Sequence, residues 1–422
     1  MPRWLYFLLI FTVLAPLLSF LHIPALLLFV VAGLGILPLA ALIGQSVEQV
    51  AEHTGERIGG LLFATFGNAT ELIIGLFALS EGLVDVVRAS IIGSILGNLL
   101  LVQGVSVLIG SLKHGRLRFE TRPASQYASL LALSVGGLLL PSFAELLASH
   151  EGQSQIVERG IALSDFIAVV LLLGYLASLL FSVFRLGDKG TVDEGDEFEP
   201  LLGARSEAAI ARLLSYRRHV AESSRPGKSG VLRQIDGTLE AIVTHEAAKQ
   251  GEQSGSPALT ASKREPVRKA NLWGALALLA AATAGVAWLS DILVGAIEPV
   301  TAVLHWNPAF VGLVFLPLIG NVTEYFNTIA MALDKRIGMV LAASAGSGIQ
   351  VALLIAPILV LVSLLMSKRL DLVFSIVELA VLGLATFLFS EITKDGELVW
   401  LEGLLLILLY GMMGGTVFLF GA

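Results

Sequence analysis

Gly67-Asn68-Ala69-Thr70-Glu71 and Gly320-Asn321-Val322-Thr323-Glu324 are two versions of one pentapeptide, each set in the middle of an apolar run. They stand 320 − 67 = 253 positions apart, and the same offset continues downstream without a gap. It carries Glu81 onto Asp334, Gly93-Ser94 onto Gly346-Ser347, and Leu99-Leu100 onto Ala352-Leu353. A carboxylate in hydrocarbon costs several kcal/mol. An internal repeat that puts one glutamate at membrane depth in each copy is the signature of a transporter with paired half-sites.

The composition agrees. Of 422 residues 55% are apolar and only 14% charged, with a mean hydropathy of +0.83, which describes a polytopic membrane protein. No cysteine is present, so disulfides, thiolate metal sites and cysteine nucleophiles are excluded. The formal net charge of −7 carries little information, because the placement of charges matters more than their sum. The 43 glycines suit close helix–helix approach in lipid. Met1-Pro2-Arg3-Trp4 and the apolar residues to Leu21 lack a small-x-small cleavage site and read as a retained first helix.

Stretches of about twenty apolar residues, long enough to span, fall at 4–21, 24–44, 58–80, 87–112, 124–148 and 161–186, then at 271–290, 308–333, 338–365, 371–391 and 397–420. The predicted fold class is therefore all-α, with about eleven transmembrane helices. One N-terminal helix (1–22) is followed by a five-helix repeat (23–186), a charged linker (187–270) and a second five-helix repeat (271–422). The linker opens acidic, with Asp188, Asp193, Glu194, Asp196, Glu197 and Glu199, and closes on Lys263, Arg264, Arg268 and Lys269. Lys113, Arg116, Arg118 and Arg122 mark their loop as cytoplasmic, which puts the N-terminus and the linker inside. Lys368 and Arg369 then fall outside, against the rule. Because five is odd, the second repeat enters the membrane from the opposite side. The two glutamates thus lie on oppositely directed helices about a pseudo-two-fold axis in the membrane plane.

Within each pentapeptide, residues three and four apart share a helix face. Asn68 and Asn321 bring amide oxygens, Thr70 and Thr323 hydroxyls, Glu71 and Glu324 carboxylates, and all are hard oxygen donors. Gly67 and Gly320 let the backbone open, and Pro317 adds a helix breaker. Two carboxylates with neutral oxygens suit a hard divalent cation; Ca²⁺ accepts six to eight oxygens at ~2.3–2.6 Å in tolerant geometry. When the ion leaves, two bare carboxylates in a dry site are unstable and take up protons instead. The neighbouring helices add Ser94 and Asn98 in one copy, Ser347 and Gln350 in the other, either as ligands or as groups that orient the carboxylates. None of these four is ionisable, which favours protons over Na⁺ as the coupling ion.

Other acids have plainer readings. Glu81 and Asp334 read as solvated helix ends. Glu48, Glu52 and Glu56, four residues apart, form either an acidic vestibule or a simple interfacial face, with Glu298 loosely opposite in the second repeat. Asp165 and Glu378 read as buried, paired residues. The acidic 188–199 stretch lacks the spacing and glycine of an EF-hand loop and reads as a solvated charge run.

Gly59-Gly60-Leu61-Leu62-Phe63-Ala64-Thr65-Phe66-Gly67-Asn68-Ala69-Thr70-Glu71-Leu72-Ile73 closely resembles the first conserved helix of the cation/proton exchanger family of the Ca²⁺:cation antiporter superfamily. Gly320–Glu324 and Gly346-Ser347-Gly348-Ile349-Gln350-Val351-Ala352-Leu353 resemble the second conserved region. The resemblance covers both halves, the acidic connecting segment and the eleven-span plan. It implies Glu71 and Glu324 as shared Ca²⁺/H⁺ carboxylates, with Asn68, Asn321, Ser94, Ser347 and Gln350 nearby. The family's second motif usually reads Gly-Asn-Ala-Ala-Glu-His. Here Thr323 replaces the second Ala and Tyr325 the His, so no role for that histidine carries over.

The residues together predict a multi-pass protein of a prokaryotic inner membrane that exchanges cytosolic Ca²⁺ for protons, with Ca²⁺ as cargo, no cofactor and no nucleic-acid partner. A homo-oligomer is compatible with the sequence. A Na⁺- or K⁺-coupled exchanger on the same fold is the nearest alternative. A cation channel built on paired glutamates is the alternative from another class. No nucleophile–base pair or His-rich motif supports an enzyme.

Overall fold

The computed structural model describes residues 3–21, 23–54, 62, 65–150, 156–184 and 272–420. Glu56, the side chain of Glu52, most of the run 59–64 before the first pentapeptide, and the linker 187–270 lie outside these residues. The described residues belong to one compact unit.

A short 3₁₀ turn, Arg3–Leu8, leads into α1 (Leu9–Phe20), and α2 runs Ala25–Thr54. The first pentapeptide opens α3 (Ala69–Ser80), followed by α4 (Val84–His114), α5 (Thr121–His150) and α6 (Ile156–Phe184). The second half holds α7 (Leu272–Leu304), the bent pair α8 (Pro308–Gly320) and α9 (Val322–Leu333), α10 (Ile337–Ser363), α11 (Ile376–Ile392) and α12 (Trp400–Phe420). Two dipeptide strands, β1 (Leu117–Arg118) and β2 (Glu397–Leu398), pair antiparallel and tie a loop of one half to a loop of the other.

The molecule is an all-α membrane bundle, but the number of spans is not read directly from helix length. Seven described helices are long and apolar enough to cross, or eight when α8 and α9 count as one crossing bent by 57°. Of the eleven expected spans, α1 and α3 are shorter apolar helices, and α11 has 17 residues. The apolar run predicted to begin at 371 is not helical until 376. Residues 370–374 form no regular structure, and serines of neighbouring helices satisfy their backbone. Ser363 Oγ accepts from Leu370 N–H at 3.0 Å, Ser164 Oγ from Leu372 N–H at 3.1 Å, and Ser142 Oγ from Phe374 N–H at 2.9 Å. Buried backbone groups need partners, and these serines make a non-helical entry into the bundle tolerable.

α11 then starts on a capping box: the Ser375 side chain accepts from Glu378 N–H, and the Glu378 carboxylate accepts from Ser375 N–H at 2.9 Å. Glu378 is thereby a structural acid. Arg369 donates to both oxygens of Asp165, at 2.6 and 2.7 Å, and Lys368 donates to the Gly82 carbonyl. The two cations that broke the charge rule are therefore held by groups of the opposite repeat. Arg88 likewise bridges Asp85 and Asp371, at 3.0 and 2.6 Å. Glu81 and Asp334 end α3 and α9 and are exposed, as are Glu48 and Glu298.

The repeat reaches backbone detail. A π-helical turn interrupts α4 at Gly97–Val102, and another interrupts α10 at Val351–Ile355, which the 253-residue offset superposes. Gly82 and Lys335, another offset pair, both adopt positive φ, +74° and +60°. The core that holds the site is the crossing of α4 with α8. A Cβ built on Gly93 would stand 2.3 Å from the Leu313 carbonyl oxygen, and one on Gly312 would stand 2.4 Å from that of Val86. The backbones touch there because neither glycine has a side chain to hold them apart.

Candidate functional site

Both pentapeptides lie at helix breaks. Gly67 and Asn68 form a turn ahead of α3; Gly320 ends α8, and Asn321 turns the chain into α9. Glu71 and Glu324 are each the third residue of the helix that follows. They occupy first turns, where the helix dipole and free backbone N–H groups favour negative charge. The side chain of Glu71 lies against Gly320: a Cβ there would be 2.9 Å from Glu71 Cγ and 3.4 Å from Oε1. The carboxylate of one repeat thus rests on the broken helix of the other.

A buried hydrogen-bond chain joins the halves behind the carboxylates. Asn68 Nδ2 donates to Gln350 Oε1 at 2.6 Å, and Ser347 Oγ donates to Asn68 Oδ1 at 2.9 Å. Asn98 Nδ2 donates to Ser347 Oγ at 3.0 Å and to the Ser94 carbonyl at 3.1 Å. Asn321 Nδ2 approaches that same Ser94 carbonyl at 3.5 Å, and its Nδ2 would lie 3.0 Å from a Cβ on Gly97. Asn68, Asn98, Asn321, Ser94 and Ser347 are all buried, and Gln350 is half-buried. Thr70 is buried, and the Thr323 methyl faces Gly44 of α2. The ten residues singled out from the sequence thus lie on α3, α4, α9 and α10 and the turns ahead of α3 and α9. Cross-repeat contacts link Asn68, Asn98, Asn321, Ser94, Ser347, Gln350 and Glu71, and the Thr323 methyl meets Gly44 of α2 rather than this polar chain.

Several buried oxygens are left without a protein partner. Of the ten such side-chain oxygens among the described residues, five lie in this region: both carboxylate oxygens of Glu71, Oε2 of Glu324, and the amide oxygens of Asn98 and Asn321. In a native interior such groups are few and signal a function. These five are hard oxygens on three of the four segments that the pentapeptides and their partners form: Glu71 on α3, Asn98 on α4, and Asn321 with Glu324 at the start of α9. Among the described residues no cluster of three or more His, Cys, Asp or Glu side chains exists, so a cation here would rely on two carboxylates and neutral oxygens.

Some groups of this region were not legible as such. Gln103, Ser106 and Thr328 are completely buried, and Ser106 and Thr328 meet between α4 and α9. Their only sequence signal is that polar residues interrupt an apolar run. The cross-repeat pairing of Arg88 with Asp371 left no local signal at all.

The fold and these paired broken helices define an ion exchanger of the membrane. Residues 24–184 and 274–419 match the family model described as sodium/calcium exchanger protein, and the chain belongs to that family. It is 33% identical over 394 residues to a Ca²⁺/H⁺ antiporter of Aphanothece halophytica, covering 93% of this chain and 90% of that protein. A Ca²⁺/H⁺ antiporter of Synechocystis is 34% identical over 92% of this chain and 90% of its own length. The crystal structure of the Ca²⁺/H⁺ antiporter YfkE matches at 28% identity with a TM-score of 0.70, covering 99% of this chain and 100% of that one.

Proposed function

We propose that this chain is a Ca²⁺/H⁺ antiporter that moves Ca²⁺ out of the cytosol in exchange for protons, with Glu71 and Glu324 binding Ca²⁺ or H⁺ in turn. The observation that carries the reading is the set of unpartnered buried oxygens on Glu71, Glu324, Asn98 and Asn321. The names of its relatives point the same way. Two carboxylates neutralise one Ca²⁺, and the amide oxygens complete a coordination shell that Ca²⁺ tolerates in irregular geometry. Once the ion departs, the same carboxylates bind protons. A site that holds one or the other, and not both, couples the two fluxes.

The repeats form two half-sites in opposite orientation, as alternating access about a fixed central site requires. Residues 23–186 and 271–422 serve as the two repeats on this reading. The linker 187–270 joins them on the cytoplasmic side. α2 and α7 pack against each other, with Leu39 on Gly285 and Leu289 on Gly35. Small residues at that seam suit a pair that slides over the α4–α8 core.

The test is ⁴⁵Ca²⁺ uptake into proteoliposomes under an imposed pH gradient, with Glu71→Gln and Glu324→Gln in parallel. Proton-driven uptake, lost in both variants, supports the reading. Uptake that ignores the pH gradient and follows Na⁺ assigns the chain to the Na⁺-coupled branch that the family description also names. Absence of Ca²⁺ flux under either gradient overturns both.

A further inference from the structure

The two half-sites are not chemically equal, and the difference lies one helical turn beyond the glutamates. In the second half, Ser106 Oγ of α4 donates to Thr328 Oγ1 of α9 at 2.8 Å, and Thr328 Oγ1 lies 2.6 Å from the Glu324 carbonyl. The 253-residue offset maps Ser106 onto Leu359 and Thr328 onto Gly75. That pair also touches, but as apolar packing: a Cβ on Gly75 would stand 2.9 Å from Leu359 Cδ1. A hydroxyl pair on one side of the site is thus a leucine plug on the other.

Gln103 extends the difference toward the carboxylate. A Cβ built on Gly110 would stand 3.0 Å from that of Ala332, so Ser106 with Thr328 and Gly110 with Ala332 share one register, since 328 − 106 and 332 − 110 both equal 222. Gln103, three residues before Ser106, lies on that same face of α4. The register pairs it with Tyr325, since 103 + 222 = 325, one residue past Glu324. Gln103 is 0% exposed, and neither its Nε2 nor its Oε1 has a protein partner. Its repeat mate is Ala356, also buried, which has no polar group to offer. An amide buried unpaired is expensive; Glu324, the residue before Tyr325, also has a buried atom without a partner, Oε2, and no hydrogen bond joins the two groups in this structure.

We propose that Gln103 is a positioning residue for Glu324: its amide orients that carboxylate toward the cation, a service the Glu71 half-site lacks. An amide can donate to a carboxylate or accept from a carboxylic acid, so the same side chain serves Glu324 in either state of the cycle. The two half-sites therefore contribute unequally to Ca²⁺ affinity. This rests on the exchange reading above.

Gln103→Met keeps the shape and deletes the amide; Gln103→Asn keeps the amide on a shorter stem. Both are compared with the parent protein in proteoliposomes for the KM and maximal rate of Ca²⁺ uptake, and in detergent for Tm. The proposal expects a KM raised at least fivefold in the Met variant, partial recovery in the Asn variant, and a Tm in Met no lower than the parent's. A KM within twofold of the parent overturns it, as does equal impairment in Met and Asn. A lowered Tm in Met also overturns it, because it would show the amide to be a packing group with partners. If the parent itself carries no Ca²⁺, the exchange reading has failed, which is a separate result from a transporting parent with an indifferent Gln103.

Discussion

Glu71 of the first repeat rests on Gly320 of the second, so closely that a Cβ at 320 would stand 2.9 Å from its Cγ and 3.2 Å from its Cδ. The glycine of one pentapeptide is therefore the floor beneath the glutamate of the other. Gly320→Ala pushes the carboxylate off that floor by several tenths of an ångström while leaving the bundle intact. The expected outcome is normal yield with Ca²⁺ uptake reduced at least tenfold, about 1.4 kcal/mol in transport efficiency, measured as ⁴⁵Ca²⁺ flux.

Gly93 and Gly346 occupy equivalent places in the two repeats but have unlike surroundings. A Cβ at 93 would lie 2.3 Å from the Leu313 carbonyl oxygen, whereas at 346 nothing lies within 4 Å. Gly93→Ala must separate two backbones and is expected to cost more than ~3 kcal/mol, seen as loss of monodisperse protein. Gly346→Ala should fold normally. Equal behaviour of the two would contradict the crossing of α4 with α8.

The Asn68–Ser347–Asn98 chain is buried, and each link spans the two repeats. Removing one partner strands the others, at about 1–3 kcal/mol. Ser347→Ala and Asn98→Ala should each lower Tm by several degrees. Combined, they should cost less than their sum, because the second change removes a group the first has already stranded. Strict additivity in a double-mutant cycle would refute the link.

Asp165 and Arg369 form a two-pronged pair at 2.6 and 2.7 Å, each about a third exposed. Solvent screens such a pair, so its net worth is about 1 kcal/mol. Asp165→Asn should lower Tm slightly and leave the KM for Ca²⁺ unchanged. A large rise in KM would instead place this pair within the transport path.

Much of the site was legible because chemistry in a membrane has few disguises. Glu71 and Glu324 stood out as carboxylates in apolar runs, and the fixed offset brought Ser94 and Ser347 with them. Less visible was anything whose meaning depends on a partner far along the chain. Lys368 and Arg369 looked misplaced because their partners, Gly82 and Asp165, belong to the other repeat. α11 starts five residues after its apolar run because serines on α5, α6 and α10 satisfy a non-helical segment that hydropathy counts as helix. Ser375-x-x-Glu378 was a capping signal in plain view.

By itself the sequence determined the membrane class, the repeat and the two exchanging carboxylates proposed here, because burying polar groups in hydrocarbon is too costly to be incidental. Only the tertiary structure decided that the two half-sites differ. Ser106 meets Thr328 where Leu359 meets Gly75, and Gln103 stands where its mate is Ala356. The repeat fixes which positions correspond, but the character of each contact arises from two helices distant in sequence. It exists only once packing has brought them together.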